Sequence, residues 1–361
     1  MTNGLSDMSS GQSGSVMVVP DAALGATPPT VHAADASLIE ASSTPSANDH
    51  SRTDLNGILL GLAAAVTYSI ANLALRGLAK TDGGLGWSMW VAGTKAFPTF
   101  FVAVILICIR RWRGQVSFTD WNFVWPIAVA AFFNQLGGNL AFQMSLVEIG
   151  LAISVPICFS SIICSGAIVG RFVLGDAVSV RTGISMGLMV ASIIFLSTAA
   201  TNRTAGVVPA TTLPASNDWG TTTGVALAMI SGLAYGITGV YIRKAVRSQM
   251  PVATTLFLFS AAGFLVLCPL SLTFLSVSTI AATTPQEWGT IAAAGIFNAL
   301  GFFAITHAMR HLTISRTNVI NASQNAFCAI GAVIVFGESL SALGILGIGL
   351  TIAGLLTLDR K

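Results

Sequence analysis

Three short signatures occur twice in this chain at a nearly constant distance. Phe133-Asn134-Gln135-Leu136-Gly137 returns as Phe297-Asn298-Ala299-Leu300-Gly301. Leu174-Gly175-Asp176, with Ser179 after it, returns as Phe336-Gly337-Glu338 with Ser341. Gly57, Tyr68 and Arg76 return as Gly224, Tyr235 and Arg243. The offsets run from 162 to 167 residues, a spread that short insertions account for. A chain that doubles a hydrophobic half must fold as two like halves, the plan of membrane transporters built from internal repeats.

Composition sets the solvent. Hydrophobic residues make up 53% of the 361 and charged residues only 9%, against about a quarter charged in soluble domains. The chain therefore reads as an integral membrane protein, all-α and polytopic, with the lipid bilayer as its surroundings. The cysteines (Cys108, Cys158, Cys164, Cys268, Cys328) lie in apolar runs without CxxC or Cys/His spacing, so they read as small buried hydrophobes. The net charge of +3 gives no ground for a nucleic-acid partner.

Residues 1–50 are rich in Ser, Ala, Thr, Gly and Pro and hold no Lys or Arg, so neither a secretory signal nor a transit peptide is indicated. They read as a disordered cytoplasmic tail. From Leu55 onward come apolar segments of about 20 residues, the length that crosses a bilayer core as a helix. They fall near 55–77, 87–109, 121–145, 149–172, 180–199, 221–243, 252–276, 288–309, 313–336 and 340–358. The expected fold is thus ten transmembrane helices as two five-helix repeats, 55–199 and 221–358, joined by an extracytoplasmic linker over 200–220.

Arg110, Arg111, Arg113, Arg171, Arg181, Arg243, Lys244, Arg247, Arg310 and Arg316 fall on one set of loops; Arg76, Lys80 and Arg203 fall on the other. The basic side is the cytoplasmic one, which puts both termini inside. With an odd number of helices in each half, the second repeat is inverted relative to the first. The expected location is a bacterial inner (plasma) membrane.

At the corners, Gly175 and Gly337 are placed to end the fourth and ninth helices in a left-handed conformation. Asp176 with Ser179, and Glu338 with Ser341, are then expected to cap the helices that follow. Glycine pairs four apart (Gly57/Gly61, Gly166/Gly170, Gly183/Gly187, Gly232/Gly236) are expected to admit close packing inside one bundle.

Two five-helix repeats, each with an apolar helix, a Gly-acid corner and a short Gly/Ala-rich last helix, resemble the drug/metabolite transporter superfamily, specifically the EamA type, over residues 55–358. That resemblance implies a central cavity lined by helices 1, 3 and 4 and their partners 6, 8 and 9. It also implies movement of amino acids and other metabolites by alternating access.

Polar side chains inside a membrane helix need a partner or a wet cavity. Gln135, Asn139 and Gln143 share a face of the third segment, with Asn134 beside it; Asn318, Asn321 and Asn325 share a face of the ninth; Asn298 and His307 lie on the eighth. One reading is a solute-binding lining, the other hydrogen-bonding glue between helices. Two such stripes on helices that the family places around its cavity favour the lining. Where the ninth segment carries Asn318, Asn321 and Asn325, the fourth carries Pro156, Phe159 and Ile163. Pro156 is a candidate for a kink that bares carbonyls. Lys95 is the one clearly intramembrane cation. It either snorkels toward an interface marked by Trp90 or opposes an anionic group of the solute.

No Asp or Glu falls mid-membrane. The small multidrug resistance proteins rely on one, so a neutral, zwitterionic or anionic metabolite fits better than a cationic drug. No catalytic constellation, P-loop, metal site or cofactor motif is seen, so the chain is not read as an enzyme. A membrane receptor or scaffold that keeps the transporter fold is the alternative. Solute identity, direction, coupling ion and oligomeric state are not written in the sequence.

Overall fold

The computed structural model describes residues 47–118, 121–175, 179–205, 218–312, 317 and 320–359. Residues 48–361 belong to one compact unit. Among the described residues every regular element is helical, as it must be where no water competes for backbone groups. Helix α1 spans Ala47–Gly77; α2 (Gly84–Thr94) and α3 (Phe97–Trp112) form one broken rod. Next come α4 (Trp121–Phe133), a π-helical stretch (Asn134–Leu140) and α5 (Ala141–Ile149), then α6 (Leu151–Leu174) and α7 (Val180–Ala205). The second half holds α8 (Asp218–Arg247), α9 (Val252–Ala261), a second π stretch (Ala262–Leu267), α10 (Cys268–Ser271), α11 (Val277–Ala281), α12 (Pro285–His311), α13 (Ser323–Phe336) and α14 (Ala342–Asp359).

Seven helices or helical rods are long and apolar enough to cross a membrane: Leu55–Gly77, Gly84–Trp112, Leu151–Leu174, Val180–Ala199, Gly220–Arg247, Val252–Ser271 and Pro285–His311. Helices α13 and α14 are shorter and apolar. The outside is greasy, with Phe101, Ile194, Ile334 and Leu356 all exposed. That is the surface of an integral membrane protein.

The expected left-handed glycines close α6 and α13, with φ of 70° at Gly175 and 63° at Gly337. Ser179 and Ser341 cap as expected, accepting from the amides of Thr182 and Gly344 at 3.2 Å each. Glu338 does not. Its carboxylate turns away from α14 and accepts from Leu151 N (3.0 Å) and Ala152 N (2.9 Å), the free amides that open α6 in the other half. The same carboxylate accepts from Arg76 Nε at 2.7 Å. A buried acid next to a helix N-terminus and a guanidinium gains more than it would at the exposed start of α14. Asp176, its counterpart in the repeat, lies outside the described residues.

The sequence places the kink at Pro156, yet α6 runs through it unbroken. The breaks are elsewhere. Pro98 cannot donate to Thr94, and the rod parts at Lys95–Ala96 between α2 and α3. The two π stretches went unread because nothing in hydropathy marks a change of helical pitch. The seventh segment stops at Ser271, short of the expected 276, and α11 was not foreseen.

Equivalent helices make equivalent contacts. A Cβ at Gly224 on α8 would stand 2.7 Å from Ile149, and one at Gly57 on α1 would stand 2.6 Å from Leu312. One at Gly138 would meet Tyr235 at 2.8 Å, and one at Gly301 would meet Tyr68 at 2.9 Å. Each half thus lends its first helix to the other. Gly232 and Gly236 let α8 lie directly on α6, where any side chain would strike the carbonyls of Cys158 and Ile162. Gly183 and Gly187 have nothing within 4 Å, contrary to the packing role expected of them. Helices α7 and α14 pair through Ser185 Oγ to Gly354 O (2.6 Å) and Ser192 Oγ to Gly347 O (2.7 Å).

Candidate functional site

A cavity of ≈ 320 Å³ lies between the helices, lined by residues of both halves. Along α6 it runs from Val155 to Leu174, about 28 Å at 1.5 Å per residue. At the Leu174 end Thr182 and Arg243 join the lining. At the other end the lining stops at Val155 and Asn72, one turn short of Leu151 and Arg76. Beyond that limit lies the Arg76–Glu338 pair, with side chains only 10% and 2% exposed. A second ion pair, Lys80–Glu287, stands at the same end, with the Lys80 ammonium 4.2 Å from the Trp87 ring centroid. Thr284 and Glu287 close a capping box at the start of α12 there.

Of the residues singled out in the sequence, Lys95, Asn134, Gln135, Asn139, Asn298 and Asn321 line this cavity. Gln143, His307 and Asn325 do not. Gln143 is buried and donates through Nε2 to Leu75 O at 3.2 Å, tying the third segment to α1. The π stretch explains the departure: its wider turn shifts everything after Leu140 relative to an i, i+4, i+8 stripe. His307 bonds Phe303 O of its own helix through Nδ1 (3.0 Å) and stacks on the Phe303 ring. Asn325 is fully buried, its side-chain N and O both without a partner. Asn318 lies outside the described residues.

The lining amides divide into two kinds. Tyr235 Oη donates to Asn139 Oδ1 (2.9 Å), Asn139 Nδ2 to Gln135 Oε1 (2.7 Å), and Gln135 Nε2 to Phe259 O (2.6 Å). This chain ties α8, the third segment and α9 together. It is possible because Gly263, in the second π stretch, leaves room: a Cβ there would stand 3.0 Å from the Gln135 amide. Asn134 Oδ1 and Asn321 Oδ1, by contrast, are buried acceptors without a partner, as is Thr99 Oγ1 across from them on α3. Buried polar atoms are normally paired; these three are not, and Asn134, Asn321 and Thr99 all line the cavity.

Lys95 sits at the break between α2 and α3 and is 3% exposed. It lies eleven residues from Gly84, about 16 Å along the helix, roughly half the thickness of a bilayer core of about 30 Å. Its side chain lines the cavity. Gly295 of α12 packs on the Lys95 carbonyl and Pro98, holding the break in place; a Cβ at Gly295 would be 2.6 Å from that oxygen.

Sequence reasoning set Gln324 beside the polar face and read Tyr68, Tyr235 and Arg243 as repeated framework, but assigned none of them, nor Asn72, to a binding role; all five line the cavity. A signal existed for two of them: the chain has only three tyrosines, and two recur at matching places in the repeats. The apolar wall is α6, through Val155, Phe159, Ile162 and Ile163.

Residues 222–358 match the EamA-like transporter family. The resemblance drawn from the repeated corners is borne out over that stretch. Among solved structures 24 chains match. One, a crystal structure, is similar with a TM-score of 0.55 at 14% identity, over 84% of this chain and 95% of that chain. At that identity the likeness shows fold alone. No curated protein matches the sequence.

Proposed function

We propose that this protein moves a small metabolite, neutral, zwitterionic or anionic, across a membrane by alternating access, the two halves acting as inverted five-helix repeats. The carrying observation is the ≈ 320 Å³ cavity, lined by corresponding helices of both halves and by the side-chain amides of Asn134, Asn298, Asn321 and Gln324. Its size suits a metabolite of modest mass. The match of residues 222–358 to a transporter family supports the same reading.

The state described is closed at the Arg76–Glu338 end and reaches outward at Leu174, Thr182 and Arg243. By the distribution of basic residues the closed end is extracytoplasmic, in a bacterial inner membrane with both termini inside. Arg76 from the first half and Glu338 from the second form a latch on that end, since opening it must part the carboxylate from Arg76 or from the α6 amides. Rocking of the halves would exchange this latch for closure at the opposite end.

Purified protein in proteoliposomes tests the reading. Labelled solutes of the three charge classes should show saturable flux above empty vesicles for at least one class. Absence of flux for all three, in protein with an intact thermal unfolding transition, removes the transporter reading.

A further inference from the structure

Lys95 has no side-chain hydrogen bond or ion pair with any described residue, although its neighbours Thr94 and Ala96 are held by backbone bonds. It lines the cavity, and among the described residues no aspartate or glutamate does. The acids Glu287 and Glu338 are both held in ion pairs at one end. A cation at membrane depth normally faces a partner or a ligand. Here no described residue supplies a partner, and the Lys95 side chain lines the space where the solute goes.

The rest of the lining narrows the choice. Arg243, the other cation of the lining, lies at the Leu174 end and has a partner of its own; at Lys95 a single ammonium balances one negative charge, so a doubly charged phosphate ester would leave charge over there. With no carboxylate among the described residues of the lining, a solute ammonium has no counter-charge among them. Opposite the polar groups, Val155, Phe159 and Ile163 offer an apolar wall. The side-chain amides of Asn321 and Gln324, also in the lining, would take a hydroxyl or N–H further along the molecule. Resting on the transporter reading above, we infer that Lys95 is the specificity-determining anchor for a solute carrying one carboxylate on an apolar body.

The test uses full-length protein in proteoliposomes, with hexanoate, 3-phenylpropanoate and 3-phenyllactate, each beside its primary amide, after subtraction of empty vesicles. At least one acid should move tenfold or more faster than its amide, with phenyllactate ahead of phenylpropanoate. Lys95→Gln should cut acid flux at least tenfold and amide flux less than twofold, and Lys95→Arg should keep the preference for the acid. In detergent the same acid should raise the unfolding temperature of the wild type and not of Lys95→Gln. Should Lys95→Gln fail to fold, acid against amide on the wild type decides alone. Equal handling of acids and amides by the wild type overturns the assignment, as does an equal loss of both in Lys95→Gln. In that event, amide flux that continues would leave the transporter reading standing, whereas no flux of any charge class would remove both.

Discussion

Helices α6 and α13 answer to one another in the sequence repeat, each ending in the same left-handed glycine. They face the same cavity with opposite characters. Helix α6 contributes Val155, Phe159 and Ile163; α13 and the turn before it contribute Asn321 and Gln324. Helix α6 is also the more firmly held of the two. Its first amides are capped by Glu338, and α8 lies on it through Gly232 and Gly236. Helix α13 starts at Ala322 with no side-chain cap. Duplication supplied one scaffold twice, and the scaffold was then divided between a fixed apolar wall and a polar wall with unsatisfied acceptors.

The sharpest way to break this contrast is to loosen the start of α6. Glu338→Gln leaves Arg76 without its counter-charge and weakens the cap, so it should destabilise by about 3 kcal/mol. It should also raise the thiol reactivity of an Asn72→Cys probe from the Arg76 end. Combining it with Arg76→Gln should restore part of the loss; fully additive losses in thermal unfolding would mean the two residues do not act together. Next comes an exchange of character. Phe159→Asn gives α6 the residue that α13 carries at the matching place, and burying that amide in place of the ring should cost about 2–3 kcal/mol. Asn321→Leu, the reverse change, removes an unpaired acceptor; its melting temperature should hold or rise while solute flux falls several-fold. Unchanged flux would return Asn321 to packing.

A smaller contrast compares helix seams. Gly232→Ala drives a methyl into the Cys158 backbone carbonyl, which cannot move aside, and should cost about 2 kcal/mol. Gly331→Ala on α13 meets only the flexible tip of Leu73, 2.6 Å from the new carbon, and should cost under about 1 kcal/mol. Equal losses in denaturant unfolding would deny that α6 is the fixed wall. Last, Asn139→Leu breaks the chain from Tyr235 to Phe259 and should cost about 1 kcal/mol. It should slow flux only in proportion to the protein lost, because Asn139 already has its partners.

The helices were legible because membrane solvent enforces them: a run of about 20 apolar residues has no other way to satisfy its backbone. The corner glycines were legible because left-handed φ is close to their monopoly. What stayed hidden depends on distance in space. Glu338 looks like a local cap until α6 is seen beside it, 187 residues away in sequence from Leu151. Trp90 was read only as an interface marker for Lys95; its packing against Trp288, ring centroids 6.0 Å apart, could not be seen. The repeated tyrosines were read as framework because they recur. They prove to be framework and lining together, since Tyr235 both holds Asn139 and faces the cavity. The six lining residues foreseen were found by residue type at helical spacing; Gln143 was lost where the π turn broke that spacing.

The Glu338 carboxylate serves a helix to which it is joined only through nearly two hundred residues of chain. Covalent continuity is therefore not what holds the two halves together. Severed between α7 and α8 and produced as separate polypeptides, they should still seek each other in the bilayer, because the start of α6 is bare until the second half brings Glu338 to it. Produced singly, residues 218–361 would carry an acid with no amides to receive it, and α6 would begin with amides that nothing answers.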